Sequence, residues 1–253
     1  MIVGFVGENG AEKTTTIKAI FSLINKDSGE ILYDGKKVDA LTTKEREKLA
    51  LCFDEATLPF NFKLKDINKY GSLLFSSWDK NLFASLAKKL ELPQDKTIKQ
   101  FSKGMKAKAQ LAFALSHHPD LLVLDEVTAS LDPVVRDEVL TLLQEFIEDG
   151  DKTVLLSSHL TSDLDKIADM IIFIHKGQIS LVATREQLDE IGIVRAKGMI
   201  ENEGHILAHL SRKYSEEYLV DNKTEFQKIN PNIVIDKAKT EDILLFLTKV
   251  EEN

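Results

Sequence analysis

Apolar residues along this chain fall into short runs that alternate with segments of helical spacing. Five runs predict strands, and most of them lack an alternation of polar and apolar positions: Ile2–Val6, Leu49–Phe53, Leu121–Leu124, Thr153–Ser157 and Met170–His175. Strands that are buried on both faces of a parallel sheet have this character. Helical patterns separate them, at Thr14–Ile24, Lys103–Ser116, Pro133–Glu148 and Ser162–Ala168. The alternation predicts an α/β fold with a mainly parallel sheet.

Three segments depart from this alternation. Turn residues flank Ser28–Gly35, which we expect to form a small hairpin. Two helical patterns, Ile67–Phe75 and Lys80–Leu90, predict a helical subdomain inserted at about residues 57–115. After about Gly192 the rhythm changes, and Pro231–Ile235 followed by Glu241–Val250 predicts a small C-terminal α/β appendage. The sequence therefore predicts two domains, residues 1–192 and residues 193–253.

Composition narrows the classes of function that the chain can serve. The formal net charge is −8 and no dense basic stripe offsets it, so we expect no nucleic-acid partner. Cys52 is the single cysteine, as is usual for proteins of a reducing compartment. No apolar run approaches the roughly 18–20 residues that span a bilayer. We therefore expect a cytoplasmic protein.

A candidate phosphate-binding loop lies between the first strand and the first helix. Residues 7–14 read G-E-N-G-A-E-K-T, which fits the pattern G-x-x-x-x-G-K-[ST] except at Glu12. Backbone N–H groups at the start of a helix bind phosphates, the lysine adds a positive charge, and the threonine hydroxyl binds Mg²⁺. The candidate residues are Gly7, Asn9, Gly10, Ala11, Glu12, Lys13, Thr14 and Thr15. A turn without any ligand is the alternative for this segment alone.

Paired acids and a capped helix supply two further candidate sites. The strand Leu121–Leu124 ends in Asp125 and Glu126. Asp125 can hold Mg²⁺ through water, and Glu126 can act as a general base on the attacking water. Two solvated acids at a strand end are the alternative. Ser102, within the segment Phe101–Met105, is a good N-cap for the helix that follows, and by itself it indicates nothing more.

The motifs, and their order along the chain, resemble those of the nucleotide-binding subunit of ATP-binding cassette (ABC) transporters. Phe101–Met105 resembles the family's Leu-Ser-Gly-Gly-Gln signature, and Val127–Asp132 resembles the segment after its catalytic glutamate. His159 follows Ser157-Ser158 where the family has its switch histidine, and Asp54 stands where the family has a glutamine. The resemblance runs from Met1 to about Gly192. More narrowly, three short segments are similar to a bacterial branch that serves two-part exporters of peptides or drugs: Phe53–Glu55, Ser77–Asp79 and Val234–Ala238.

The resemblance implies a P-loop NTPase fold, ATP and Mg²⁺ as ligands, and two partners. One partner is an integral-membrane permease, so the subunit would lie at the inner face of the cell membrane. The other is a second cassette, identical or different, that binds head to tail so that Ser102 and Gly104 of one copy contact the ATP of the other. Glu126 and His159 would be catalytic, Asp132 would lie near the nucleotide, and Thr14, Asp125 and Asp54 would bind the metal. The remaining histidines are expected at the surface or in loops: His117, His118, His175, His205 and His209.

Three departures from the family leave the function open. Glu12 adds a negative charge near the phosphates, and at an effective dielectric constant near 20 each such repulsion costs about 3 kcal/mol at about 5 Å. Met1 falls directly at the strand before the loop, so the family's earlier strands and adenine-stacking aromatic have no counterpart in the sequence. Asp54 replaces glutamine. Because Glu126 and His159 are present, we expect an ATPase subunit that powers export. The departures make a degenerate, non-hydrolysing structural or regulatory cassette the alternative. A cassette acting on DNA or ribosomes and a small-molecule kinase are less favoured.

Overall fold

A computed structural model describes residues 1–55, 57–129, 131–148, 150–196, 205–212 and 214–249. Ser130, which belongs to the segment after Glu126, and Val250, the last residue of a predicted helix, lie outside the described residues. Contacts divide the chain into two compact units. Unit 1 comprises Met1–Val3 and Lys13–Ser158, and unit 2 comprises Gly4–Glu12 and His159–Asn253. The predicted domain boundary near residue 192 stays a prediction.

The elements of the first part of the chain follow the predicted alternation. In chain order they are β1 Ile2–Val6, α1 Lys13–Ile20, β2 Leu32–Tyr33, β3 Lys36–Lys37, α2 Thr43–Arg46, β4 Leu49–Phe53, α3 Leu64–Leu74, α4 Lys80–Lys89, α5 Lys103–Leu115, β5 Leu121–Asp125, α6 Pro133–Ile147 and β6 Thr153–Ser158. The remaining elements are α7 Thr161–Ile167, β7 Met170–His175, β8 Gln178–Thr184, α8 Arg185–Asp189, β9 Gly192–Ala196, β10 Ile206–Ser211, β11 Glu216–Val220, α9 Lys223–Ile229, β12 Ile235–Lys237 and α10 Thr240–Lys249.

The sheet of unit 1 explains why its strands are uninterrupted apolar runs. Strands β4, β5 and β6 are parallel neighbours in that order, and the beginning of β1 follows β6. Leu122, Val123 and Leu124 of the central strand β5 are fully buried. Cys52 on β4 is also buried, and burial raises the pKa of its thiol to about 12. The predicted α/β fold with a mainly parallel sheet is confirmed.

Aromatic packing holds together the helices α3, α4 and α5 of unit 1. The ring of Trp78 lies 4.9 Å from that of Phe113, and its Nε1 donates a hydrogen bond of 2.8 Å to the side chain of Asn68. A Cβ added at Gly71 would lie 2.5 Å from the Trp78 ring, so this position requires glycine. Both helices predicted between residues 57 and 100 are present. Gly71, Trp78 and Phe113 therefore have a structural role.

The first helix and the hairpin differ from their predicted extents. Helix α1 ends at Ile20 rather than Ile24, because Ser22 takes a left-handed conformation (φ 53°) and closes the helix. Its amide donates to the Ala19 carbonyl, while the next amide donates to the Lys18 carbonyl, the paired bonds of a Schellman motif. The hairpin turns at Asp34 and Gly35, both with positive φ, between the short strands β2 and β3. The hairpin therefore spans Leu32–Lys37 rather than Ser28–Gly35, and Asp34 and Gly35 form its turn instead of its end.

Unit 2 contains two sets of strands. The end of β1 is followed by β7 and then by β8, and β7 and β8 form an antiparallel hairpin that turns at Lys176 and Gly177. A second, antiparallel sheet has the order β10-β11-β9-β12, and its core comprises Val194, Tyr218, Val220 and Phe226. Strands β8 to β11 were not predicted, although the α/β character of the C-terminal region was. None of the described helices combines the length and the apolar character that crossing a bilayer requires.

Candidate functional site

Four of the predicted site residues meet where β5 ends and α1 begins, within unit 1. The hydroxyl of Thr14 donates a hydrogen bond of 2.7 Å to Oδ2 of Asp125. The ammonium of Lys13 lies 3.4 Å from Oε1 of Glu126, and the lysine side chain is only 6% exposed. Since Asp125 is the last residue of β5 and Lys13 the first residue of α1, the parallel sheet itself brings these groups together. A lysine, a hydroxyl and two carboxylates thus share one small region.

Asp125 has the geometry that a metal ligand needs. The residue is 5% exposed, and its Oδ1 atom has no hydrogen-bond partner among the described residues. The hydroxyl of Ser157, which lies opposite Asp125 in the pairing of β5 with β6, is likewise buried and unpartnered within the described part of the chain. Buried polar oxygens normally have a partner, so such atoms suit the binding of a hydrated cation. Thr14 and Asp125 therefore fit Mg²⁺, whose preferred ligands are oxygens.

Glu126 is held at the strand end by an unusual backbone conformation. Its φ is 56°, in the left-handed region, and its amide donates a hydrogen bond of 3.1 Å to the carbonyl of Ser157 on β6. The side chain is 23% exposed, so water can reach its carboxylate. Left-handed conformations at non-glycine residues cluster at functional sites. The conformation turns Glu126 away from the direction of β5, in which Leu122 to Asp125 are buried.

The predicted phosphate-binding loop lies in unit 2 up to Glu12. A Cβ added at Gly7 would lie 2.5 Å from the carbonyl oxygen of Ile174, so no larger residue fits there. Ala11 is 1% exposed; its amide donates to the Glu8 carbonyl at 3.2 Å, and its own carbonyl accepts from the Gly177 amide at 3.3 Å. Asn9 and Gly10 are exposed at the tip of the loop. The loop is thus folded tightly and leaves its tip accessible, as a phosphate cradle requires.

Glu12 occupies the position at which the pattern calls for glycine. The backbone conformation at this position explains the preference for glycine. Its φ is 72°, a left-handed conformation that glycine adopts at little cost and glutamate does not. The side chain is exposed, and the chain continues from it directly into Lys13 and then the exposed Thr14 and Thr15 of α1. The loop therefore keeps the backbone shape of the glycine pattern although the side chain differs.

His175 was expected at the surface or in a loop, and this prediction is wrong, because His175 is the buried last residue of strand β7. The side chain is 3% exposed, and its Nδ1 lies 2.9 Å from Oε1 of Glu8 in the loop. His117 is also buried: its Nδ1 donates a hydrogen bond of 2.8 Å to the Glu47 carbonyl, and its ring stacks on Phe75 at 4.2 Å. Burial lowers the pKa of His117. An apolar strand ending in histidine, as in Met170–His175, is the signal that could have placed His175 inside.

The segment that resembles the signature lies at the start of α5, in unit 1. Ser102 is the N-cap, and its hydroxyl accepts a hydrogen bond of 3.2 Å from the Met105 amide. A Cβ added at Gly104 would lie 3.3 Å from a methyl group of Val135, so a side chain there would press on α6. Asp54 lies beside this helix start, with its carboxylate 3.0 Å from the ammonium of Lys103. Asp54, predicted as a metal ligand, is thus paired with a lysine of the signature segment.

Two further predicted residues occupy the ends of elements. Asp132 is the N-cap of α6, and its Oδ1 accepts hydrogen bonds of 3.1 Å from the amides of Val134 and Val135. His159 is exposed and directly follows β6. Among the described residues, no group of three or more histidine, cysteine or acidic side chains could hold a metal. The candidate Mg²⁺ ligands are therefore a hydroxyl and single carboxylates rather than a dense cluster.

Comparison with known proteins agrees with the motifs. The model of the family described as ABC transporter matches residues 1–129. The lantibiotic transport ATP-binding protein SrtF of Streptococcus pyogenes is 32% identical over 71% of this chain and 77% of its own length. The bacitracin transport ATP-binding protein BcrA of Bacillus licheniformis is 29% identical over 70% of this chain and 59% of its own length.

Solved structures show the same fold. The ATP-binding subunit of an ABC transporter superposes with a TM-score of 0.66 and 25% identity over 73% of this chain and 79% of that chain. A dimeric ATP-binding cassette, MJ0796, bound to ADP and phosphate, superposes with a TM-score of 0.64 over 72% of this chain and 84% of that chain; its identity of 22% supports the fold alone. The resemblance carried by residues 7–14, 101–105 and 121–132 is confirmed. The chain belongs to the ABC transporter family, as an ATP-binding cassette domain.

Proposed function

We propose that this chain hydrolyses ATP to power export through a separate membrane permease. The observation that carries this proposal is the pair of contacts at the end of β5, where Thr14 binds Asp125 and Lys13 lies beside Glu126. These are the groups that ATP hydrolysis needs: a cation for the phosphates, oxygens for a metal and a carboxylate base. All four lie in unit 1, two at the start of α1 and two at the end of β5.

Each of these side chains has a distinct task in the proposed reaction. Lys13 and the amides at the start of α1 would bind the phosphates, and the Thr14 hydroxyl and Asp125 would hold Mg²⁺, directly and through water. Mg²⁺, when bound, neutralises part of the charge on the phosphates. Glu126 would accept a proton from the attacking water. To do so, the Glu126 carboxylate must move away from Lys13. Bound phosphates would favour this movement, because they compete with Glu126 for the Lys13 ammonium.

A second cassette is proposed as a partner because the signature segment forms a helix start that suits an anion. Ser102 and Gly104 lie at the N-terminus of a helix of 13 residues that has no acidic residue in its first turn. Such a helix end favours anions. In this proposal they contact the nucleotide of the other cassette, with His159 and Asp132 close to the same phosphates. Asp54, paired with Lys103, would be an outer ligand of the metal.

The permease is proposed from the relatives, and export is proposed from the narrower resemblance of Phe53–Glu55, Ser77–Asp79 and Val234–Ala238 to two-part exporters. SrtF and BcrA are named for the transport of a lantibiotic and of bacitracin, and another relative is named for export of Nod factor. We propose that this chain likewise acts at the inner face of the cell membrane, bound to a permease. Phe60, 53% exposed beside the signature helix, and Lys106, whose ammonium lies 5.6 Å from the Phe60 ring centre, belong to the surface offered to that partner.

The alternative of a degenerate, non-hydrolysing cassette finds no support in the fold or in the comparisons. Glu126 and Lys13 are both present and in contact. Glu12 lowers nucleotide affinity in this proposal but leaves the groups of hydrolysis in place. The expected enzyme is therefore an ATPase whose affinity, rather than its chemistry, is reduced.

Phosphate release from ATP tests this proposal. We expect the purified chain to release phosphate from Mg-ATP, and Lys13→Ala to lose this activity. Lys89→Ala is the matched control, because it removes a lysine of an exposed ion pair with Glu145 in the same unit. Equal activity of the unmodified chain and Lys13→Ala would contradict the proposal.

A further inference from the structure

A groove in unit 2 lies outside the proposed ATP site and has a volume of about 700 Å³. Four parts of the unit line it: strand β8, helix α8, strand β10 and the segment from Asp221 to Thr224. Its apolar residues include Ala183 and Ile191, each 3% exposed, and Val182 and Leu207, which are 47% and 38% exposed. The groove thus combines buried apolar residues with partly exposed apolar side chains that a ligand could cover.

Hydrogen bonds between the end of α8 and the start of α9 fix the shape of this groove. The Lys223 amide donates a hydrogen bond of 2.8 Å to the carbonyl of Glu190. The Thr224 amide donates one of 3.3 Å to the carboxylate of the same glutamate. The Ile191 amide donates to the Leu188 carbonyl at 3.2 Å. Because the two bonds that Glu190 accepts join two walls of the groove, the concavity exists without a ligand, which lowers the cost of binding.

The charged residues that line the groove are all acidic. They are Glu186, Glu190 and Asp221, and no lysine, arginine or histidine is among the lining residues that the structure describes. Hydrogen bonds from the side chain and amide of Thr224 lower the pKa of Glu190. Its own amide and the Thr184 hydroxyl lower the pKa of Glu186. Both carboxylates are therefore ionised at neutral pH.

Basic residues adjoining the groove are directed at other groups. The Lys223 ammonium donates to the carbonyl of Asp189, and the Arg185 guanidinium lies 4.0 Å from the Asp165 carboxylate. His205 lies against Asp221, with Nδ1 2.8 Å from Oδ1. Lys223 also lies near enough to help lower the pKa of the Glu190 carboxyl, so it offsets part of that charge, and Glu186 carries the larger share of the negative charge toward the groove. A ligand that carries a positive charge gains from both carboxylates, and an anion is repelled by them.

We propose that this groove binds a small organic cation with an apolar body. The volume lies within the range of about 300–1,000 Å³ that is typical of small-molecule sites, and such sites are mainly apolar with a few polar groups that orient the ligand. The apolar body would cover Val182 and Leu207, and the cationic group would lie between the carboxylates of Glu186 and Glu190. The cassette thereby carries a second ligand site, separate from its ATP chemistry, in the C-terminal part of the chain.

Three probes with one apolar body test this charge selection on the full, nucleotide-free chain. They are 4-phenylbutylamine, the neutral 4-phenylbutan-1-ol and the anionic 4-phenylbutyrate. Amide NMR shifts would report binding at Val182, Leu207 and Asn222. We expect the amine to bind roughly tenfold more tightly than the alcohol, the gain expected from two exposed charge pairs, and the butyrate to bind more weakly than both. Equal binding of amine and alcohol would overturn the proposal, as would the absence of shifts at these amides.

A matched pair of variants assigns the effect to the groove. Glu186→Gln removes a carboxylate from the first turn of α8 at the groove, and Glu241→Gln removes one from the first turn of α10 outside it. We expect a roughly threefold to fivefold loss of amine affinity in Glu186→Gln only, as is typical for the loss of one exposed charge pair. Equal losses in both variants would overturn the proposal. Binding of a basic amphipathic peptide without binding of the amine would also overturn it, in favour of a polypeptide partner.

Discussion

The ammonium of Lys13 lies 3.4 Å from the carboxylate of Glu126, so the candidate phosphate-binding cation neutralises the candidate general base. Lysine is almost fully buried here, and a buried charge without a partner is costly. In the proposed function, ATP replaces Glu126 as the partner of Lys13. Binding of the nucleotide thereby releases the base that the reaction needs.

Removing the charge of Glu126 separates binding from hydrolysis. We expect Glu126→Gln to bind Mg-ATP at least as tightly as the unmodified chain, because Lys13 no longer has a competing carboxylate. Hydrolysis should fall by about 10²–10⁴, the usual contribution of a general base. Equilibrium titration and phosphate release measure the two effects.

Glu145→Gln is the control for this variant, since Glu145 pairs with Lys89 on the surface of the same unit. Both quantities should be unchanged in Glu145→Gln. A Glu126→Gln variant that hydrolyses ATP at the unmodified rate would contradict the assignment of Glu126.

Glu12 affects the protein in two separable ways. Its left-handed backbone costs about 1 kcal/mol relative to glycine, and its carboxylate repels phosphates. We expect Glu12→Gly to raise both the free energy of unfolding and the affinity for ATP, the latter by up to about a hundredfold. Glu12→Gln should raise the affinity without the gain in stability, because it keeps a side chain at the same φ.

Urea unfolding and calorimetry on both Glu12 variants would measure these effects. If Glu12→Gly and Glu12→Gln gave the same stability, the backbone argument would fail. If neither changed the affinity, the repulsion argument would fail.

Asp54 and Asp125 should differ in their importance for the metal. The Asp54 carboxylate is paired with Lys103, and both side chains are well exposed, so this ion pair contributes less than about 1 kcal/mol. Asp125 is buried and keeps an unpartnered oxygen within the described part of the chain. We expect Asp54→Asn to leave the strengthening of ATP binding by Mg²⁺ within about twofold, and Asp125→Asn to abolish it. Equal effects of the two variants, measured by titration with and without Mg²⁺, would refute this ranking.

His117 makes stability depend on pH. Burial lowers its pKa from the ordinary value of 6.5, so the unfolded chain binds a proton there more readily than the folded chain. The stability supplied by neutral His117 is therefore complete above about pH 6.5 and falls as the pH drops toward the lowered pKa. Urea unfolding should show the unmodified chain more stable than His117→Asn at pH 8, with a smaller difference at pH 5. A difference independent of pH would count against this assignment.

The sequence predicted those elements whose pattern of apolar residues is compatible with only one kind of secondary structure. Strands β1, β4 and β7 have their predicted bounds, because uninterrupted apolar runs fit the interior of a sheet. Thr14 and Asp125 were expected to bind the same metal ion, and their side chains are in contact. Motif order along the chain was enough to identify the family.

Other features depend on contacts between distant residues. Strand β8 lies at the edge of its sheet and is largely exposed, so Gln178–Thr184 lacks the apolar run of a buried strand. Ser22 closes α1 in a conformation more typical of glycine, which its identity did not indicate. The burial of His175 beside Glu8 and the pairing of Asp54 with Lys103 follow from the fold rather than from local sequence.

The most direct test of the central claim is an equilibrium titration of the unmodified chain with ATP, with and without Mg²⁺, alongside Asp125→Asn. The account predicts saturable binding by the unmodified chain, strengthened by Mg²⁺, and no such strengthening in Asp125→Asn. Absence of saturable binding by both the unmodified chain and Glu12→Gly would contradict the account. So would a strengthening by Mg²⁺ that Asp125→Asn retains in full.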